Sequence, residues 1–382
     1  MHILVAPNAF KHSLSAAEAA KSIAEGLLKS RLQCTLTLFP VGDGGDGTGR
    51  LLVSSAVGGS VEKVVIHDPL GRNIEASFGL IDEGLTAVIE LADAAGLRLL
   101  QVGELDPLHA STFGVGELIL AAVEKKVTKI LLCIGGSCTT DGGSGLLRAL
   151  GVRFLDVFGN DLQGEPESLL RLDSIDCSSL DSRVAAISLV ILCDVNSSLL
   201  GPRGTAAVFG PQKGATGSDV ILLESCLKQF RDVVFRQWGA DMAAVHYGGA
   251  AGGVSAGLSA VLGAQLVSGI DYFLDSMYFD QALEQADLLI TAEGSIDLQT
   301  LEGKAPFGVA RRARRKRIPV LGLTGSVPMG WEEEIYSFFD VILPINHAPV
   351  SKTEALGETA ANLTRTARTL GNLLSLHVGS FV

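Results

Sequence analysis

Two glycine-rich stretches hold most of the residues able to do chemistry in this 382-residue chain. In KILLCIGGSCTTDGGSGLLRALG, residues 129 to 151, an apolar run suited to a buried strand meets Gly135 and Gly136, and then Ser137, Thr139, Thr140 and Asp141. Glycine there lets a ligand approach the backbone. A helix starting near Gly142 or Gly143 would aim its free N–H groups and the positive end of its dipole at a phosphate or carboxylate. The bland alternative is a tight strand-to-helix turn that needs glycine only for packing.

The second stretch is VGDGGDGTG, residues 41 to 49. Gly42, Gly44 and Gly47 satisfy G-x-G-x-x-G after a strand, with Asp68 about 20 residues on, the outline of a dinucleotide fingerprint. Asp43 and Asp46 would sit in that cradle and repel a pyrophosphate, whereas carboxylates on a loop beside a phosphate suit Mg²⁺. No lysine follows the spacing of a Walker A loop, so a phosphotransferase built on this chain is not a P-loop enzyme.

Other polar groups fall just after predicted strands, where open α/β sheets bind ligands. Lys11 follows the first strand, Asp194 ends ILC, and Glu293, Ser295, Asp297, Gln299 and Lys304 follow LLITA; Lys213 in FGPQKGA adds a cation. For each of them singly, a helix cap or surface ion pair is the competing reading.

The elements that must position these groups alternate between strand and helix. Residues 2 to 7 read as a strand, Ser15 and Glu18 as a capping box opening a helix, and 33 to 40 as a second strand. Alternation of period two over 74 to 80 and 85 to 91, joined by DEG, gives an antiparallel hairpin that interrupts the βα rhythm. Regular βα units return with strands at 287–292, 318–323 and 340–345, a helix from Pro306 and a last helix over 352–376. The expected fold is α/β: a Rossmann-like doubly wound domain from both chain ends, 1–60 and 285–382, and an inserted α/β domain of mixed sheet, 61–284. The active site is expected in the cleft between them.

Composition bounds the function. Hydrophobic residues make up 47% and charged residues 19%, with 45 glycines, as in an α/β enzyme with many tight turns. A net charge of −12 disfavours nucleic acid and anionic membranes as partners. The run ARRARRKR over 310 to 317 reads as a solvated helix end whose cations offset the dipole. Gly248 to Ile270 lacks charge but is dominated by small residues, so a packed helix or loop near the ligand is favoured over a membrane span. The cysteines make no C-x-x-C pair and the start of the chain reads without an export signal, so a cytoplasmic protein is expected. The histidines show no zinc spacing.

The motifs resemble the class II glycerate kinases of the bacterial type over nearly the whole chain. APNAFKHSLSA resembles that family's APDSFKGSLSA, GDGGDGT its ADGGEGT, and IGGSCTTDGG its GGSATNDGG. CDVNSSLLGPRGTAAVFGPQKGA and TAEGSIDLQTLEGKAP are similar to its CDVxNPLxGxxGAAxxFxPQKGA and TGEGRIDxQTxxGKxP. The resemblance implies ATP- and Mg²⁺-dependent phosphorylation of glycerate. Carried over by position, Lys11, Ser13, Asp46, Gly135, Gly136, Ser137, Asp141, Asp194, Lys213, Glu293, Asp297, Gln299 and Lys304 match its motifs. Asn8, Ala9 and His12 stand where that family has Asp, Ser and Gly, and Ser295 where it has Arg.

On this reading Gly135, Gly136 and Ser137 bind anionic groups, Asp46 and Glu293 serve Mg²⁺, and Lys11 or Lys213 holds the substrate carboxylate. Asp194 is the base for the attacking hydroxyl. Ser13, Asp141, Asp297, Gln299 and Lys304 bind substrate or nucleotide. The expected product is 2-phosphoglycerate; 3-phosphoglycerate, an NAD-dependent oxidoreductase and a non-catalytic metabolite-binding protein are the alternatives. The oligomeric state is not legible.

Overall fold

The computed structural model describes residues 1–164, 166–193, 195–296, 303–327 and 333–377. Its strands are His2–Val5 (β1), Thr35–Leu38 (β2), Ser60–His67 (β3), Asn73–Ile81 (β4), Thr86–Glu90 (β5), Lys129–Cys133 (β6) and Arg153–Leu155 (β7), then Ser174–Asp176 (β8), Ser188–Cys193 (β9), Gln265–Ser268 (β10), Leu288–Ser295 (β11), Val320–Ser326 (β12) and Val341–Pro344 (β13). The chain divides into two compact units, Met1–Asp43 with Ile270–Val382, and Gly44–Gly269.

The first unit is built on a parallel five-stranded sheet of order β13-β12-β11-β1-β2. Ser15 closes a complete capping box with Glu18 and starts the helix Ala16–Leu28, whose Ile23 and Leu27 join Ile3, Ile290, Leu323 and Leu363 in one core. That helix packs along the helix Thr359–His377. The expected final helix is in fact two, because the chain breaks at Glu358 between Lys352–Gly357 and Thr359–His377.

In the second unit a mixed six-stranded sheet runs β10-β9-β6-β5-β4-β3. The hairpin expected from the period-two alternation is β4–β5, with Ala76 and Phe78 turned inward, and β3 extends it antiparallel to the edge of the sheet. The apolar strands β5, β6 and β9 lie in the middle, where both faces are covered. The uncharged stretch after Gly248 becomes a tight turn, the helix Val254–Leu262 and β10; among the described residues no helix is long and apolar enough to cross a membrane.

The division falls at 43/44 and 269/270, not at the expected 60/61 and 284/285. The helix Thr48–Ser55 packs on β4 and β5 of the second sheet, so it belongs with that core. At the other end, the cations of the 311–317 run draw the segment after Ile270 into the first unit. Arg312 is buried and pairs with Asp271, Asp275 and Asp280, Arg311 pairs with Asp271, and Lys316 with Glu284. Arg315, Lys316 and Arg317 form the exposed helix end expected of the run, but Arg312 does not: burying a guanidinium requires carboxylate partners, and the acidic segment 271–284 supplies them.

Candidate active site

The two glycine-rich bends meet in the second unit. Gly135 N–H donates to the Gly44 carbonyl at 3.1 Å. Gly44 takes φ +96°, and a Cβ there would lie 2.5 Å from the Leu192 carbonyl of β9, so only glycine permits the approach.

The loop after β6 is held from three sides. Leu97 N–H donates to the Gly136 carbonyl and Cys138 N–H to the Ala95 carbonyl, both at 2.9 Å, so the segment after β5 zips along residues 136 to 138. Gly142 N–H donates to Gly252 at 3.0 Å. From below, the fully buried Lys213 ammonium donates to Ser137 Oγ at 2.9 Å and to the Thr139 carbonyl at 2.5 Å. Desolvation lowers the Lys213 pKa to about 8, against the opposing pull of Cys138 and Asp141. Lys213 thus braces the loop from inside. The buried Cys138 thiol is itself pushed up to about 12 by burial. None of the six cysteines is disulfide-bonded.

Asp141 has a different place from the one its motif implies. Its carboxylate accepts from Gly143 N–H (3.0 Å), Gly145 N–H (3.2 Å), Thr112 N–H (2.9 Å) and Thr112 Oγ1–H (2.6 Å), and Thr112 Oγ1 accepts from Leu146 N–H. The helix Ser144–Ala149 begins there, with Gly143 as its N-cap. Its first donors are satisfied by Asp141 and Thr112, so this helix end does not offer a phosphate the donors expected of it.

The bend at 42 to 47 is likewise closed to a pyrophosphate. Glu90, at the end of β5 and buried, accepts from Gly47 N–H at 3.0 Å and Arg50 N–H at 3.1 Å, filling the start of the helix Thr48–Ser55. Burial raises its pKa to about 7, the Gly47 N–H opposing, with Asp93 and Asp46 adding to the rise. Asp68 is spent on Leu70 N–H, Arg72 N–H and the Arg72 guanidinium. Both halves of the dinucleotide fingerprint are thereby consumed by structure. Asp46 remains half-exposed, paired with Arg98 at 3.3 Å. Sequence reasoning missed Glu90, Arg98 and Thr112; the one signal for Glu90 was a lone carboxylate ending an apolar strand.

In the first unit, Lys11 is exposed on the turn after β1, while Ser13 Oγ donates to the Leu356 carbonyl at 2.6 Å. A cleft of about 480 Å³ lies there, lined by His12, Ser13, Leu14, Thr353, Leu356, Gly357 and Ala360. Glu293 is buried near the end of β11, and Lys304 is the N-cap of the helix Ala305–Arg315. Asn8 Nδ2 donates to Asp43 at 2.9 Å, and Asp43 also accepts from Ala305 N–H. An ionised Asp at position 8 would face a carboxylate there, which the amide avoids. Asp194, Asp297 and Gln299 lie outside the described residues.

Among the described residues no three metal-type ligands cluster. The donor chemistry fits Mg²⁺ held by one or two carboxylates, with phosphate and water supplying the rest, and does not fit an all-protein cage.

Compared with known proteins, residues 3–375 match the profile of the Glycerate kinase family. The chain is 40% identical over 376 residues to the glycerate kinase of Bacillus subtilis (strain 168), covering 98% of each chain. It is 37% identical over 380 residues to the glycerate 2-kinase of Escherichia coli (strain K12), again 98% of each. A crystal structure from Salmonella typhimurium LT2, provisionally described as a glycerate kinase 2, aligns with a TM-score of 0.80 at 38% identity over 99% of each chain.

Proposed function

The chain belongs to the glycerate kinase family, and from that premise we propose that it transfers the terminal phosphoryl group of ATP to the C2 hydroxyl of glycerate, giving 2-phosphoglycerate, with Mg²⁺ as the cation and in the cytoplasm. The carrying observation is the junction of the glycine bends at Gly44 and Gly135, with Asp46 on one and Ser137 on the other. Phosphoryl transfer asks a protein mainly for positioning and charge neutralisation, and a loop braced by a buried ammonium is preorganised for that.

Backbone amides around Gly136 and Ser137 orient anionic oxygens of the substrates, and Lys11, exposed on its turn, supplies a cation for the glycerate carboxylate. Asp194, directly after β9, takes the proton of the attacking hydroxyl. Asp46 and Glu293 are the carboxylates for Mg²⁺, which when bound neutralises charge on the phosphate oxygens. Lys304, Asp297 and Gln299 complete the polar set. Lys213 and Asp141 act on the loop itself, because their polar atoms are spent inside it.

A short acid gripped close to its carboxylate by glycine amides presents the adjacent C2 oxygen to the donor, which favours it over the less hindered C3 hydroxyl. The E. coli relative's name points the same way. The test supplies ATP, Mg²⁺ and D-glycerate with enolase as the sole coupling enzyme. ADP release with a matching rise in phosphoenolpyruvate absorbance supports C2; no enolase signal until phosphoglycerate mutase is added would mean that C3 is the acceptor.

A further inference from the structure

Asp46 is held by two residues that the motifs do not single out. Arg98 Nε lies 3.3 Å from Asp46 Oδ2, and the Arg98 guanidinium also pairs with Asp93, whose carboxylate is mostly buried. Glu90, buried beneath, accepts from Gly47 N–H, the residue after Asp46, on one oxygen and from Arg50 N–H on the other. The Asp46 side chain is thereby held by Arg98, while the Gly47 turn behind it is pinned to β5 by Glu90.

Arg98 also ties the two bends together. It follows Leu97, whose N–H donates to Gly136, and Gly96 bridges Ser137 in antiparallel fashion. Its backbone neighbourhood is thus part of the loop after β6, while its side chain reaches the other bend. A shift of either loop moves the Arg98–Asp46 pair.

We propose that Glu90 and Arg98 are positioning residues that fix the Asp46 carboxylate in one orientation against the glycine loop, and so set the affinity of the enzyme for Mg²⁺ in its nucleotide-bound state. The inference rests on the reading of Asp46 as a carboxylate serving Mg²⁺. Groups that orient a ligating carboxylate control metal affinity by roughly 10 to 100-fold without touching the ion.

The experiment uses the full-length enzyme and three variants: Arg98→Ala, Glu90→Gln and Asp46→Asn. Mg²⁺ is titrated calorimetrically into enzyme saturated with a non-hydrolysable ATP analogue, and KM for glycerate and kcat are measured beside it. Arg98→Ala is expected to weaken Mg²⁺ binding roughly tenfold or more, with KM for glycerate changed less than about twofold. Arg98 is partly exposed, so its truncation leaves the core intact and keeps the test informative where Glu90→Gln folds poorly. Unchanged Mg²⁺ affinity in Arg98→Ala and Glu90→Gln, with weakened binding in Asp46→Asn, would overturn the positioning role while leaving Asp46 in place. Unchanged affinity in all three would remove Asp46 from the metal site and the proposal with it.

Discussion

The Lys213 ammonium donates to Ser137 Oγ at 2.9 Å from a position sealed away from solvent, beneath the loop that the family resemblance assigns to anion binding. A cation at that depth holds the loop in place through Ser137 and Thr139. Its burial also makes it a stronger acid than an exposed lysine, with a pKa lowered to about 8.

Replacing Lys213 with Met tests both consequences. Loss of the two donated hydrogen bonds is expected to lower kcat/KM by roughly 10 to 100-fold through a misplaced loop. The unfolded chain holds this proton up to its ordinary pKa near 10.5, the folded chain only to about 8. Between those values the unfolded state binds more protons, so wild-type stability rises with pH relative to Lys213→Met, by an amount on the order of 3 kcal/mol. Urea denaturation of both proteins from pH 7 to 10.5 measures it; parallel stability curves would mean that Lys213 does not titrate in this range.

Asp141→Asn should act on stability. Its carboxylate satisfies three backbone N–H groups and the Thr112 hydroxyl at the start of Ser144–Ala149, and an amide cannot accept on both sides. A loss of about 2–4 kcal/mol is expected by chemical denaturation, with KM for ATP and glycerate unchanged in the folded fraction. A raised KM at unchanged stability would return Asp141 to the ligand-binding set.

His12 occupies the left-handed region at φ +66°, where the resembled motif has glycine. Substituting His12→Gly removes the Cβ penalty but adds freedom to the unfolded chain, so a gain of up to about 1 kcal/mol remains. Differential scanning calorimetry should show a Tm raised by a few degrees or less. A lowered Tm would assign the imidazole a stabilising contact.

Asp194→Asn is expected to lower kcat by roughly 10² to 10⁴ while ATP affinity stays within about twofold, as for a base lost from an intact site. Steady-state kinetics and equilibrium binding of an ATP analogue measure the two quantities; near wild-type kcat would take Asp194 out of the mechanism.

The sequence determined what depends on local pattern and spacing. Apolar runs fixed β6 and β9, alternation fixed the β4–β5 hairpin, Ser15 and Glu18 fixed a helix start, and the ordered motifs fixed the family. These signals survive in a linear string because strand period, capping and glycine-rich turns are properties of a few neighbouring residues. The tertiary structure alone decided which polar atoms remain available. Asp141 and Ser13 match binding motifs yet spend their hydrogen bonds within the fold, Lys213 is buried as a brace, and Arg312 is drawn inward by three aspartates. Arg98, silent in the sequence, and Glu90, marked there only as a lone carboxylate ending a strand, come beside the Asp46 turn only because β5 and the segment after it pass beside both bends. A side chain's pairing and burial depend on residues distant in the chain, and each buried donor or charge is satisfied by whatever the fold brings beside it.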